Sequence, residues 1–599
     1  MGKKKIYLVW IILVLLAMIM GSYAYFSWRT SESRLALTVG DINNIQVTLK
    51  PYRINAEMVP VSTYESESYV NVDVVNSSNK SKGFELYYSV NTIDQELRSN
   101  DFKYTITKSI DGGNTYSEVK TGNFSEAVDN TNIIIYNATV SSNTTEKYRV
   151  YVWLSNNGDQ SNVSGASFNA ELRAEFDSSS NIVVDVPDGL IPVVFDTSNG
   201  TVVKTVSSTD ASWYDYNSQE WANAVLVKES GIQTRTYYKN NPGVSIDESD
   251  ILAYYVWIPR YSYMIWTTGT SDSGQEQTIE IKFESTDIIS TGTQVGEYIT
   301  HPAFWWDNNS NGVRDSGEEL SGIWVGKFET TGTADSPTIL PDVQSLRRQP
   351  VSGEFATAQI FGTSTYGMTS NFDAHMMKNS EWGAVAYLSH SRYGVNREIY
   401  INNSSGFYTG RSGGNVGGST AINTVYTSQT SMEQYNSSGF YTWDGYLLEY
   451  DTNTKSSTHD ISKVASTTGN ITGVYDMSGG AREYVMGYYS PASTTWGATS
   501  SANKAGFTSQ PDSKYYDNYT TTSALTACNG GICYGHGLSE TNAWHIDNAL
   551  FVDGIDPWFT RGGRHIDRSN AGAFYFKNVN GGPSTVAAAR SVIVYDPTT

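Results

Sequence analysis

Apolar and polar residues alternate one for one in several runs between positions 35 and 176, among them Tyr69-Val70-Asn71-Val72-Asp73-Val74, Phe102-Lys103-Tyr104-Thr105-Ile106-Thr107 and Tyr148-Arg149-Val150-Tyr151-Val152-Trp153. Successive side chains of a strand point to opposite faces, so a period of two describes strands with one face buried and one wet. Turn-forming stretches such as Asp111-Gly112-Gly113-Asn114 separate the runs. A helical bundle is excluded here, and about 140 residues suit one antiparallel β-sandwich.

The N-terminus carries an address. Lys3, Lys4 and Lys5 precede an apolar run from Ile6 to Met20 and then Gly21-Ser22-Tyr23-Ala24-Tyr25-Phe26. Roughly 21 residues could span a bilayer with the lysines held inside. The small-x-small triplet Ser22-x-Ala24 equally suits a signal peptidase. Residues 1–28 are therefore expected to be either a transmembrane anchor or a cleaved signal, and both export the remainder. The expected location is the extracellular face of the cell membrane, with a cytoplasmic N-terminus if the segment is retained. The net charge of −21, with no basic stripe beyond residue 5, argues against a nucleic-acid partner.

Export bears on the two cysteines. Cys528 and Cys533 lie in a Gly-rich stretch, and an oxidising exterior favours a disulfide between them. The alternative, a zinc site recruiting His536 and His545, lacks a standard structural spacing.

A polar stretch beginning Asp177-Ser178-Ser179-Ser180 marks a linker over 177–186, and from residue 187 the chain becomes rich in Trp and Tyr. Near-helical spacing of Met376, Met377, Trp382, Val385 and Leu388 predicts a helix within 373–394. Residues 307–318 contain the ligand spacing of a calcium loop: Asp307, Asn309, Asn311, the Val313 carbonyl, Asp315 and Glu318, with Gly312 free to turn sharply. Two neutral asparagines lower the affinity towards the range of extracellular calcium, and a loop inserted in a domain suggests a structural role. The phrase NSSGFYT occurs at 403–409 and 436–442, and Tyr408, Tyr441, Trp443 and Tyr446 are candidates for stacking on a glycan or a protein surface, or for packing the loops. Gly410-Arg411-Ser412-Gly413-Gly414 matches a nucleophile elbow in letters, yet no strand and helix flank it.

Three blocks, GNITGVYDMSGGAREYVMG (469–487), FTRGGRHIDRSNAGAFYF (559–576) and AAARSVIVY (587–595), resemble the sulfatase-modifying-factor superfamily, to which the formylglycine-generating enzyme belongs. The resemblance implies an α+β, C-type-lectin-like fold for residues 187–599 and a structural calcium held with the help of Asp476 and Glu483. It departs from the family at the aromatic pair around that glutamate, where Arg482 and Tyr484 stand. It departs again at the two cysteines that follow RGG in the enzyme, whose positions hold Asp567 and Gly572. Neither supplies a thiolate, so no copper is expected. Separately, GSYAYFS (21–27) and LTVGDI (37–42) are similar to the export signal and first strand of the camelysin/TasA family of Gram-positive surface proteins, some of which form fibres.

These readings converge on an export segment (1–28), an all-β sandwich (35–176), a linker, and a calcium-stabilised lectin-like head that binds an extracellular glycan or protein without catalysis. The alternatives are an enzyme of the sulfatase-modifying type with an altered centre, and a subunit of a surface fibre.

Overall fold

The computed structural model describes residues 24–29 and 45–596, apart from 50–53, 67–68, 77–81, 110, 130, 142, 159, 177–181, 199, 266–275, 293–295, 405, 413–423, 427–430, 435–438, 450–454, 459–464, 492–503, 521–533, 543 and 568–569. The chain divides into two compact units, Met1–Ser180 and Asn181–Thr599.

Alternation becomes burial in the first unit. Residues of the strand Tyr69–Asn76 are by turns half-buried and buried. Its Val70, Val72 and Val74 share one core with Phe84, Leu86, Tyr88 and Val90 from a second sheet. One five-stranded sheet runs in the order Ile54–Met58, Ala24–Arg29, Ser167–Phe176, Lys82–Ile93, Thr131–Val140; the other runs Ile45–Leu49, Tyr69–Asn76, Thr144–Leu154, Phe102–Ser109, Tyr116–Asn123. The strand Ala24–Arg29 pairs in parallel with Ser167–Phe176 and antiparallel with Ile54–Met58, so the end of the expected export segment contributes to the sandwich. Alternating aromatic residues after Gly21 suit a strand better than a continued helix. Residues 1–23 lie outside the described residues, among which no helix is long and apolar enough to cross a membrane.

The second unit is also β-rich. Seven antiparallel strands form its larger sheet in the order Val202–Thr205, Leu190–Asp196, Asn223–Val227, Ile251–Pro259, Gly322–Gly326, Ser591–Tyr595, Phe372–Met376. A second sheet joins Asp517–Tyr519, Arg482–Tyr489, Trp558–Gly562 and Gly572–Val579, with Ala587–Ala589 pairing with Arg482–Tyr489. The α-helices among the described residues are short: α1 (Arg235–Asn240), α2 (Val351–Ile360) and α3 (Asn379–Ser389). Irregular loops leave backbone carbonyls to be satisfied, and buried indoles do part of that work. Nε1 of Trp221 donates to the Tyr393 carbonyl at 2.7 Å, that of Trp382 to Ala573 at 2.7 Å and that of Trp324 to Asp185 at 2.7 Å.

The helix expected over 373–394 is shorter than its spacing suggests. Phe372–Met376 is a strand, paired with Ser591–Tyr595 so that Ala374 faces Ile593. Long-range pairing overrides the local pattern there. Helix α3 starts at Asn379, where the Glu381 carboxylate accepts the Lys378 N–H at 2.8 Å and so supplies a capping bond. All of its residues are buried, so no polar stripe marks its outline in the sequence.

Beside α3 lies a buried carboxyl, Glu540, which accepts from the Tyr263 hydroxyl at 2.7 Å, the Tyr387 hydroxyl at 2.6 Å and the Gly535 N–H at 2.7 Å. Burial outweighs these donors and pushes it up from 4.5 to about 7. A folded-state value above the unfolded one means the native state holds the proton longer, so this contribution to stability is complete below pH 4.5 and falls as pH rises towards 7. Glu540→Gln, which cannot ionise, is expected to flatten that part of the curve of Tm against pH. An unchanged slope would assign the effect to other buried carboxyls.

Candidate functional site

The loop at 307–318 is closed at its base by a bridge between Trp305 and Glu319, with the Trp306 N–H donating to the Glu318 carbonyl at 2.9 Å. Inside it, Asp307 Oδ1 accepts the Asn311 N–H at 3.0 Å and Oδ2 accepts the Gly312 N–H at 2.9 Å. Ser310 and Gly312 take positive φ, 56° and 72°, which winds the backbone around the Asp307 side chain. The amides of Asn309 and Asn311 both donate to Asp315 Oδ2, at 3.0 and 2.8 Å, and hold that carboxyl below its usual range. Their own oxygens accept the N–H groups of Asn311 and Val313, using one of two lone pairs each.

Glu318 is the telling residue. It is 3% exposed, and its Oε2 accepts Trp305 Nε1 and the Asp315 N–H, each at 2.9 Å. Its Oε1 is buried with no hydrogen-bond partner among the described residues. A carboxylate oxygen left so is costly unless something cationic meets it, and position twelve of a calcium loop supplies two oxygens to the ion. The residue types match a calcium donor set, which would comprise the Asp307, Asp315 and Glu318 carboxylates, two amide oxygens and the Val313 carbonyl, although the three carboxylates stand too far apart here to share one ion without moving inward.

Asp476 and Glu483 sit in a different setting. Asp476 Oδ1 accepts Asn402 Nδ2 at 2.7 Å, and the Gly410 N–H approaches both its oxygens at 2.9 and 3.0 Å. Glu483 is paired with Arg590, both side chains fully buried, through Nε at 3.0 Å and Nη2 at 2.5 Å. Burial raises Glu483 to about 7 against the pull of that guanidinium. A third buried carboxyl, Glu329, accepts the Ala481 N–H at 2.8 Å and is also raised by burial, then by Asp476. The available oxygens of Asp476 and Glu483 are thus engaged with protein donors.

The aromatic candidates divide. Trp443 is 5% exposed and packs with Phe195, Tyr254, Phe328 and Tyr475, so it belongs to the core. Tyr408 is half-buried under the Arg411 guanidinium, 3.9 Å from its ring, and Tyr446 is half-buried on a hairpin. The side chain of Tyr441, and Cys528 with Cys533, lie outside the described residues. Asp567 is clamped by Arg482 at 3.1 Å and Arg564 at 3.0 Å, which overcome its burial and hold its pKa low. A Cβ on Gly572 would lie 2.1 Å from Asp547 Oδ2, so a side chain there would displace a buried carboxyl.

One grouping was not foreseen from sequence. Among the described residues, a single trio of His, Cys, Asp or Glu side chains brings its ligand atoms within 4.8 Å of one another: Glu276, His390 and His545. The three carboxylates of the loop at 307–318 do not meet so closely. Glu276 Oε1 stands 3.5 Å from His390 Nε2 and its Oε2 2.9 Å from His545 Nδ1. His390 ends α3, and its carbonyl accepts the Ile279 N–H at 3.0 Å, which brings the segment bearing Glu276 to the helix end. Burial lowers His390; for His545 burial also acts downward, but the Glu276 carboxylate outweighs it and the ring is raised. His545 was visible in the sequence only as a zinc alternative to the disulfide, and His536 of that alternative bonds instead to the Tyr519 hydroxyl at 2.7 Å. No spacing rule links positions 276, 390 and 545. No protein-family model matches the chain, and no curated protein matches it at a significant level.

Proposed function

We propose that this is an exported, membrane-anchored surface protein whose C-terminal unit is C-type-lectin-like, is stiffened by calcium at residues 307–318, and binds an extracellular glycan or protein without acting on it chemically. The observation that carries the non-catalytic reading is the pair of positions 567 and 572. Where the resembled enzyme needs two thiolates for copper, this chain has a carboxylate clamped by two arginines and a glycine packed against a buried carboxyl. The buried, unpartnered Glu318 Oε1 supports the calcium part. A rigid aromatic core that positions long polar loops suits recognition, because loops carry contacts while the scaffold holds them.

Two measurements on the full-length protein test this reading. Incubation with a Cys-containing sulfatase-type peptide, with and without copper, is expected to give no aldehyde. A glycan array and a binding assay on bacterial and host cell surfaces are expected to show calcium-dependent binding that Glu318→Gln weakens. Copper-dependent aldehyde formation would restore the enzymatic alternative. Absence of any calcium-dependent binding would remove the recognition role.

A further inference from the structure

We propose that Glu276, His390 and His545 form a binding site for a divalent transition ion of the zinc class, held by two imidazole nitrogens and one carboxylate, with a remaining coordination position for water or a ligand's oxygen. The site goes beyond the calcium reading: the loop at 307–318 offers only oxygen donors and selects a hard cation, whereas imidazoles select zinc and its neighbours.

Three observations support it. The first is distance. Ligands about 2.0–2.1 Å from a tetrahedral zinc lie roughly 3.3 Å apart. Glu276 Oε1 stands 3.5 Å from His390 Nε2, its other oxygen 2.9 Å from His545 Nδ1, and one ligand atom from each residue lies within 4.8 Å of the other two, so side-chain adjustment can bring the set to that spacing. The second is support for the ligands. The Arg397 backbone also bonds to the His390 ring, the kind of outer contact that fixes a ligating imidazole. His390 also caps the C-terminus of α3, where the helix dipole favours positive charge.

The third is strain. His545 has φ 55° and Ile546 φ 68°, and a β-branched residue is rarely found in the left-handed region. Ile546 is 61% exposed, so its own burial does not explain that conformation, while the turn it makes presents His545 to Glu276.

The test uses the full chain, stripped with a chelator, dialysed and reloaded with zinc or with cobalt as a spectroscopic substitute. One zinc per chain is expected by elemental analysis, together with cobalt d–d bands that report nitrogen and oxygen ligands. Glu276→Gln changes a partly exposed loop residue and should leave the fold intact, yet weaken zinc binding by about tenfold or more; His545→Gln should do the same. Glu318→Gln should leave zinc binding unchanged even where it abolishes the calcium response, which separates this site from the calcium loop. Failure of the folded parent to retain zinc, or equal zinc affinity in the parent, Glu276→Gln and His545→Gln proteins, would overturn the proposal.

Discussion

Replacing Arg590 by methionine is expected to destabilise the C-terminal unit by about 3–5 kcal/mol, because it strands a buried carboxylate without its cation. Arg590 does more than neutralise Glu483. Its Nη1 donates to the Gly326 carbonyl at 2.7 Å and its Nη2 to the Tyr475 carbonyl at 2.9 Å, so one guanidinium ties a strand of the larger sheet to the smaller one. Denaturant unfolding followed by tryptophan fluorescence would measure the loss, since this unit holds the large aromatic core. Adding Glu483→Leu to Arg590→Met is expected to recover part of it, because two apolar side chains of similar volume replace a pair whose desolvation is expensive. A double variant as unstable as the sum of the single ones would show that the pair is not coupled. The same cycle bears on the implied calcium role of Glu483, since a carboxylate committed to Arg590 is a poor ligand for a second cation.

Calcium at a hundredfold excess over its dissociation constant is expected to raise the stability of the C-terminal unit by about 2.7 kcal/mol, because the unfolded chain cannot assemble the loop. Glu318→Gln nearly preserves shape while removing the charged twelfth ligand, and should abolish most of that gain. The glutamine oxygen can still accept from Trp305 and Asp315, and the unpartnered position then holds a neutral amide instead of a carboxylate oxygen, so without calcium the variant should be no less stable than the parent. Asp476→Ala with Glu483→Ala serves as the comparison. Calcium protection that survives Glu318→Gln and vanishes in that double variant would move the ion to the site implied by the family resemblance.

Some of this architecture was legible residue by residue. Period-two alternation in Tyr69–Asn76 needs only that one face be buried, and the burial of Val70, Val72 and Val74 follows from it. The spacing of the candidate calcium loop was equally local, since every candidate ligand lies within twelve consecutive residues and the turn is made by its own Gly312. Where a property depended on distant partners, the local pattern misled. Met376 matched a helical spacing, yet pairing with Ser591–Tyr595 made it part of a strand. For Trp443 the sequence left display and packing open, and four rings from elsewhere in the chain, closing around it, decided for packing.

The chain's own letters therefore determined the β-rich class, the sandwich pattern and the candidate calcium loop, because each rests on neighbours in sequence. Only the tertiary structure decided that Glu483 belongs to Arg590, that Gly572 is closed off by Asp547, and that Glu276, His390 and His545 share one small volume. The last of these is made by the end of α3, a loop more than a hundred residues before it and a strained turn more than a hundred and fifty after it. Their meeting is set by how the sheets and helix pack, and packing has no period to read.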